Sequence, residues 1–313
     1  MVFYVVRRLL AAIPTLLAVL TLVFVIVRIV PGDPAIVILG DQATPAGIAA
    51  LHAKLGLDKP MWAQYLSFLT QSLSGDFGHS MVTGRPILTD VAAVLPHTID
   101  LTLASLVVGA VVGVPAGIWA ALHRNQAIDY AARLLSLIGL SFPVFVSGIF
   151  VLLLFALHWR LFPVIGAARL DDPLDRLDKL VLPASTLGLV MAAYITRVTR
   201  SAMLSVLGED YIRTARAKGV PWRRIVWRHA LRNAAMPVVT VVGLYIGILI
   251  GNSVLTEIVF NRPGLGKLIV TALNQRDYTL LQGLMVVTAF AIVLANMLTD
   301  ITYGLVDPRV KTS

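Results

Sequence analysis

No cysteine occurs in the 313 residues, which rules out disulfide frameworks, thiolate metal sites and cysteine nucleophiles. Charge is also scarce: Asp, Glu, Lys and Arg make up 14% of the chain, where an average soluble domain carries about a quarter. The six histidines are scattered, mostly at the ends of apolar runs, and no Ser/His/Asp or His-rich metal set recurs at usable spacing. Gly264-Leu-Gly-Lys267 comes nearest to a phosphate-binding loop, but Asn261 stands where its first glycine belongs and Leu268 where Ser or Thr is required. Strand-like alternation is missing as well, which argues against a β-barrel. The sequence therefore offers no catalytic residue, no metal site and no cofactor of its own.

What it has in abundance is apolar residues, 58% of the chain, with a mean hydropathy of +0.83. They come in blocks of about twenty, the length that crosses a bilayer as a helix. Six such spans are expected, roughly Leu9–Val30, Thr98–Leu122, Leu134–Leu157, Leu180–Thr196, Met236–Phe260 and Leu280–Val306. The fourth has a short uncharged core, with Pro183 placed in its first turn, where proline is tolerated. Arg7 and Arg8 before the first block mimic a signal peptide. The run is too long for that and no small-x-small cleavage site follows before Pro31, so a retained first helix is expected. The fold class is all-α polytopic membrane protein.

Six crossings put both ends on one side, and the distribution of charge says which. With the N-terminus inside, the inner segments hold fifteen basic residues against five acids, and the outer segments eleven against twelve. That asymmetry predicts N-in, C-in. It also accounts for the formal charge of +9 without nucleic acid, because the charges flank the apolar blocks.

Two loops exceed simple connectors. The outer one, Pro31 to His97, carries several Gly/Asp/Pro turn signals around an amphipathic stretch at Trp62 to Leu69, and a small helical cap is expected there. The inner one, Ser201 to Ala235, reads as two short helices at an angle. Glu209 and Asp210 suit a helix start, Glu209 is spaced to pair with Arg213, and Gly219 suits a stop. Pro221 suits the first turn of the second helix and Pro237 the opening of the next span. Small Ala215 and Ala217 let the first helix lie close to another surface. Physics alone leaves three readings: a docking knob, a headgroup anchor built on Trp222 and Trp227, or an electrostatic nucleic-acid site.

A resemblance separates them. Arg213-Thr214-Ala215-Arg216-Ala217-Lys218-Gly219, followed by His229-Ala-Leu-Arg-Asn and Pro237, resembles the cytoplasmic coupling motif of ABC importer permeases in their dipeptide, oligopeptide, glutathione and nickel branch. The wider superfamily motif begins Glu-Ala-Ala and ends Leu-Pro; here those positions are Arg213-Thr214-Ala215 and Leu231-Arg232, a departure similar to that branch. Pro31-Gly-Asp-Pro34, Gly56-Leu-Asp-Lys-Pro60, Gly75-Asp-Phe-Gly78, Asn261-Arg-Pro-Gly-Leu-Gly266, Arg276-Asp-Tyr278 and Asp307-Pro-Arg309 are similar to it too, in order along the chain. The resemblance implies a type I importer fold and a coupling role for Arg213, Thr214, Ala215, Arg216, Lys218, Gly219 and His229. It further implies a homologous second permease, two cytosolic ATPase subunits or domains that carry ATP and magnesium, an extracytoplasmic substrate-binding protein, and a peptide-class substrate or a nickel chelate.

The expected organisation is a first helix (9–30) with an external cap within 1–97, a permease core over 98–306 that includes the cytosolic loop 201–235, and a cytosolic tail at 307–313. Stripes of small residues, Gly109, Gly113, Pro115 and Gly117 in span two and Gly243, Gly247 and Gly251 in span five, suit either close static packing or a sliding face that lines a path. Asn252, Glu257, Asn296 and Asp300 are polar groups at membrane depth and so candidates for path or gating roles, with Arg197 or Arg200 as a structural partner for Asp300. An ion-driven secondary transporter is the competing class, but it calls for inverted repeats and a midplane ionisable relay. Spans two, three and five have no central charge.

Overall fold

The computed structural model describes residues 2–29, 34–40, 43–163 and 171–306, and nearly all of them are helical. Helix α1 (Val2–Ile29) is followed on the outer side by α2 (Pro34–Leu39), α3 (Pro45–Leu55) and α4 (Met61–Ser74), the expected cap. Then come α5 (Ile87–Leu122), α6 (Ala127–Ser141), α7 (Val144–Val151, continued by a π-helical stretch to His158) and α8 (Pro173–Leu207). A hairpin of α9 (Asp210–Ala217) and α10 (Trp222–Arg224) runs through a π-helical stretch, Ile225–Ala230, into α11 (Leu231–Val259). Helices α12 (Leu265–Asn274) and α13 (Tyr278–Val306) complete the chain. The first three residues of Pro31-Gly-Asp-Pro34 and all of 307–313 lie outside the described residues.

Among the described residues, five helices are long and apolar enough to cross a membrane. The expected third span is instead a pair, α6 and α7, bent by 104°. The break falls at Phe142-Pro143: Phe142 is extended, as the restriction on the residue before proline requires, and Pro143 caps α7. Packing shows that this pair still crosses. Gly109, Gly113 and Gly117 of α5 face Met191, Ile195 and Thr199 of α8 in the same order, so α5 and α8 run parallel. The chain between them must return to the opposite end. It does so step by step along α8: Asp129 meets Arg200, Gly139 meets Ala193, Gly148 meets Thr186, and Ala156 packs with Leu182. Six crossings follow, with both ends of the described bundle on the side of the α9–α10 hairpin.

The stripe in α5 serves packing inside the chain. A Cβ at Gly117 would lie 2.5 Å from that of Thr199, and one at Gly113 2.8 Å from the Ala192 carbonyl, so only glycine allows this approach. In α11, Gly243 and Gly247 face α13, whereas Gly251 has open space beside it.

Two prolines sit deeper than expected. Pro183 lies inside α8, which begins at Pro173 with Asp172 accepting from the backbone N–H groups of Leu174 and Asp175. Pro183 has no N–H to give the Lys179 carbonyl four residues earlier, and the Arg262 guanidinium donates to that carbonyl at 3.5 Å instead. Pro237 lies inside α11, because the helix is already continuous from Trp222.

Candidate functional site

At the inner end, α9 stops in two closing hydrogen bonds. Val220 N–H donates to the Ala215 carbonyl at 3.1 Å and Gly219 N–H to that of Arg216 at 2.9 Å. This six-to-one, five-to-two pattern needs a left-handed residue at its centre, and Gly219 supplies φ 74°. Pro221 then caps α10. The hairpin is held to the bundle by an apolar root. Ile212, Ile225, Val226, Ala230 and Ala234 are buried with Ile118 and Ala121 at the end of α5 and Met203 near the end of α8.

Ala215 and Val220 are part-buried and pack against this root, so Ala215 is turned toward it. The outward face is Tyr211, Arg213, Thr214, Arg216, Ala217 and Lys218. Arg213 pairs with Asp210 at 3.3 Å, where Glu209 was the expected partner; both side chains are largely exposed. Thr214 donates to the Asp210 carbonyl, and Arg216 stacks 4.2 Å above the Trp222 ring. His229 is half-buried in the π-helical stretch. The sequence-predicted coupling residues thus share one hairpin, but they divide between an inner root and an outer face. Sequence reasoning missed the root. Its signal was Ile212 and Ala215 at helical spacing in an otherwise polar segment.

The outer end is built from buried charge. Glu257, fully buried, accepts from the Thr98 hydroxyl at 2.7 Å and the Lys267 backbone N–H at 3.0 Å. The Gly264-Leu-Gly-Lys267 loop therefore does enclose an anion at the start of α12, but the anion is the chain's own carboxylate. Arg262, also buried, reaches the His97 carbonyl at 3.5 Å and Asp100 at 3.9 Å, and Arg176 pairs with Asp100 in a two-pronged contact. Burial lowers the Arg262 pKa, and Asp100 and Glu257 raise it in opposition. Asp277 is buried as well and accepts from the Ser80 hydroxyl at 2.5 Å and the backbone N–H groups of Met81, Val82 and Leu280. It ties the loop after Gly75-Asp-Phe-Gly78 to the start of α13, so two separate sequence motifs form one joint.

The polar candidates of the spans separate accordingly. Glu257 belongs to the buried outer joint, and Asp300 pairs with Arg8 at 2.8 Å, while Arg200 is taken by Asp129. Asn252 and Asn296 lie on exposed faces of α11 and α13, Asn296 beside Gly247. Among the described residues no cluster of His, Asp and Glu suits a metal ion.

Six apolar crossings, an outer cap and a basic helical hairpin at the end that holds both ends of the described bundle define a polytopic α-helical membrane subunit. The chain belongs to the family of binding-protein-dependent transport system inner membrane components, whose core matches residues 113–312 and whose N-terminal part matches residues 1–102. It is 40% identical over 99% of both chains to the dipeptide transport system permease protein DppB of Escherichia coli K12. It is equally similar, over 99% of both chains, to the glutathione transport system permease protein GsiC of Salmonella typhi. A chain in an inward-facing structure of the MetNI methionine ABC transporter shares its fold, with a TM-score of 0.58 at 18% identity over 71% of this chain and 98% of that one. The chain is thus a multi-pass inner-membrane permease subunit with the ABC importer permease fold.

Proposed function

We propose that this chain forms half of the translocation path of an ATP-driven importer of di- or oligopeptides or related small solutes, and that the α9–α10 hairpin receives the drive. The observation that carries the coupling role is the apolar root. It joins the hairpin to the inner ends of α5 and α8 and to the start of α11, so force on the exposed face reaches three crossing helices at once. The basic excess on that side makes it cytosolic. Arg213, Arg216 and Lys218 then steer the encounter with an ATPase subunit. ATP and magnesium bind on two such subunits or domains, a homologous permease supplies the other half of the path, and an external binding protein delivers the solute. Similarity to dipeptide and glutathione permeases supports a small peptide as that solute.

The test is Ala217→Trp in the assembled complex. Ala217 is exposed and outside the root, so a bulky side chain there leaves the fold intact and obstructs only a docked partner. Peptide uptake into ATP-loaded vesicles should collapse while insertion and thermal stability hold. Wild-type uptake would make the hairpin a headgroup anchor.

A further inference from the structure

Opposite charges stand at the two ends of α4, and both ends border one cleft. A cavity of about 940 Å³ lies between α1, α4, the loops on either side of α4 and the start of α13. Small-ligand sites occupy about 300–1,000 Å³. Gln64, Ser67 and Gln71 line the cavity at helical spacing, so the polar face of α4 is the one turned toward it, and Gln282 of α13 lines it as well. Lys59, Gln71 and Asp76 in its wall are exposed, which leaves the cleft open to solvent.

At the start of α4 the charge is positive, and Gln64 holds this end together. Its amide nitrogen donates to the Leu57 and Lys59 carbonyls at 3.2 Å and 2.8 Å, and its amide oxygen accepts from Nε and Nη2 of Arg28 at 3.2 Å and 3.0 Å. Arg28 also lies 3.7 Å over the Phe24 ring. It is thus fixed in place with three of the five N–H groups of a guanidinium still to give. Lys59, on the loop that Gln64 ties down, lines the cavity too. At the other end of α4 the charge is negative. One Asp76 oxygen, Oδ1, accepts from the Gly78 N–H at 3.0 Å, which leaves Oδ2 for a ligand. Among the described residues Arg28, Lys59 and Asp76 form no ion pair. The helix adds to this gradient, because its N-terminus favours an anion and its C-terminus a cation. Gln64 and Gln71 are about 10 Å apart along the axis at 1.5 Å per residue, and the Asp76 N–H donates to the Gln71 carbonyl. An extended peptide covers about 10–14 Å in three or four residues.

We propose that this cleft binds a zwitterionic peptide of about three or four residues, its carboxylate on Arg28 and Lys59, its ammonium on Asp76 and its amides along Ser67, Gln71 and Gln282. As a peptide site it rests on the reading of a small peptide as the solute, and it adds an outer station for that solute on this chain. The test is calorimetric binding of tetraalanine to the assembled permease–ATPase complex, without ATP and without the external binding protein. Tetraalanine should bind. Its N-acetyl and C-amide forms, and dialanine, which reaches one end only, should each bind about tenfold more weakly, the scale of one charge-assisted contact. Asp76→Asn keeps an acceptor for the Gly78 N–H; it should weaken tetraalanine about tenfold and leave the N-acetyl form unchanged. Arg28→Gln should weaken tetraalanine likewise and leave the C-amide unchanged. No binding, equal binding of free and blocked peptides, or binding that neither substitution alters would overturn the proposal. Uptake of tetraalanine into ATP-loaded vesicles is read separately. Uptake without binding at the cleft would overturn this site and leave the importer reading standing, whereas binding without uptake would support the site and count against that reading.

Discussion

The two ends of this molecule use charge in opposite ways. At the outer end Glu257, Arg262 and Asp277 are buried among backbone donors, hydroxyls and one another, and each ties two or more segments together. At the inner hairpin Arg213, Arg216 and Lys218 stand in solvent over an apolar root, and the ion pair of Arg213 is exposed on both sides. Buried charge is costly to break and fixes geometry; exposed charge adds little stability and remains available to a partner. The outer end is therefore a brace and the inner end a presented surface. One pair, Asp129 with Arg200, brings the outer style to the inner side, where it fixes the start of α6 to α8.

Substitutions should follow this contrast, checked by thermal unfolding of the purified chain in detergent. The largest loss is expected for Asp277→Ala, which leaves a buried hydroxyl and three backbone N–H groups without their acceptor, about 3–5 kcal/mol. Gly264→Ala comes next. Its Cβ would fall 2.1 Å from the Glu257 carboxyl carbon, and a shift of this packed joint should cost about 2–3 kcal/mol. Gly219→Ala meets nothing within 4 Å, so only the left-handed backbone opposes it, at about 1 kcal/mol. Arg213→Ala should change stability by less than about 0.5 kcal/mol, yet make ATPase association weaker and less salt-sensitive. If Gly219→Ala cost as much as Gly264→Ala, the division into brace and presented surface would fail.

The sequence made the crossings legible because hydropathy and the basic asymmetry are averages over many residues. It also made the stop at Gly219 legible, because that stop depends on local backbone chemistry. Partners set by tertiary packing were not legible. Asp300 took Arg8 rather than Arg197 or Arg200, and Arg213 took Asp210 rather than Glu209, since a cation within reach in sequence says nothing of where neighbouring helices cross. Pro183 and Pro237 read as helix starts, but both lie inside continuous helices, and at Pro183 the Arg262 guanidinium takes the carbonyl the proline leaves free. The bend between α6 and α7 escaped notice because an apolar run has the same composition whether straight or broken. The inward turn of Ala215 needed the root, whose members come from four separate segments.

The most direct test of the central claim exploits the absence of cysteine. Ala217→Cys should be introduced in this chain and joined by a short bifunctional maleimide in the assembled complex, with Trp62→Cys as the outer control. Ala217→Cys should cross-link to an ATPase subunit, more so when nucleotide is present, while Trp62→Cys should not. A complex that transports normally but shows no ATPase cross-link at Ala217→Cys, or shows one at Trp62→Cys, would contradict the claim.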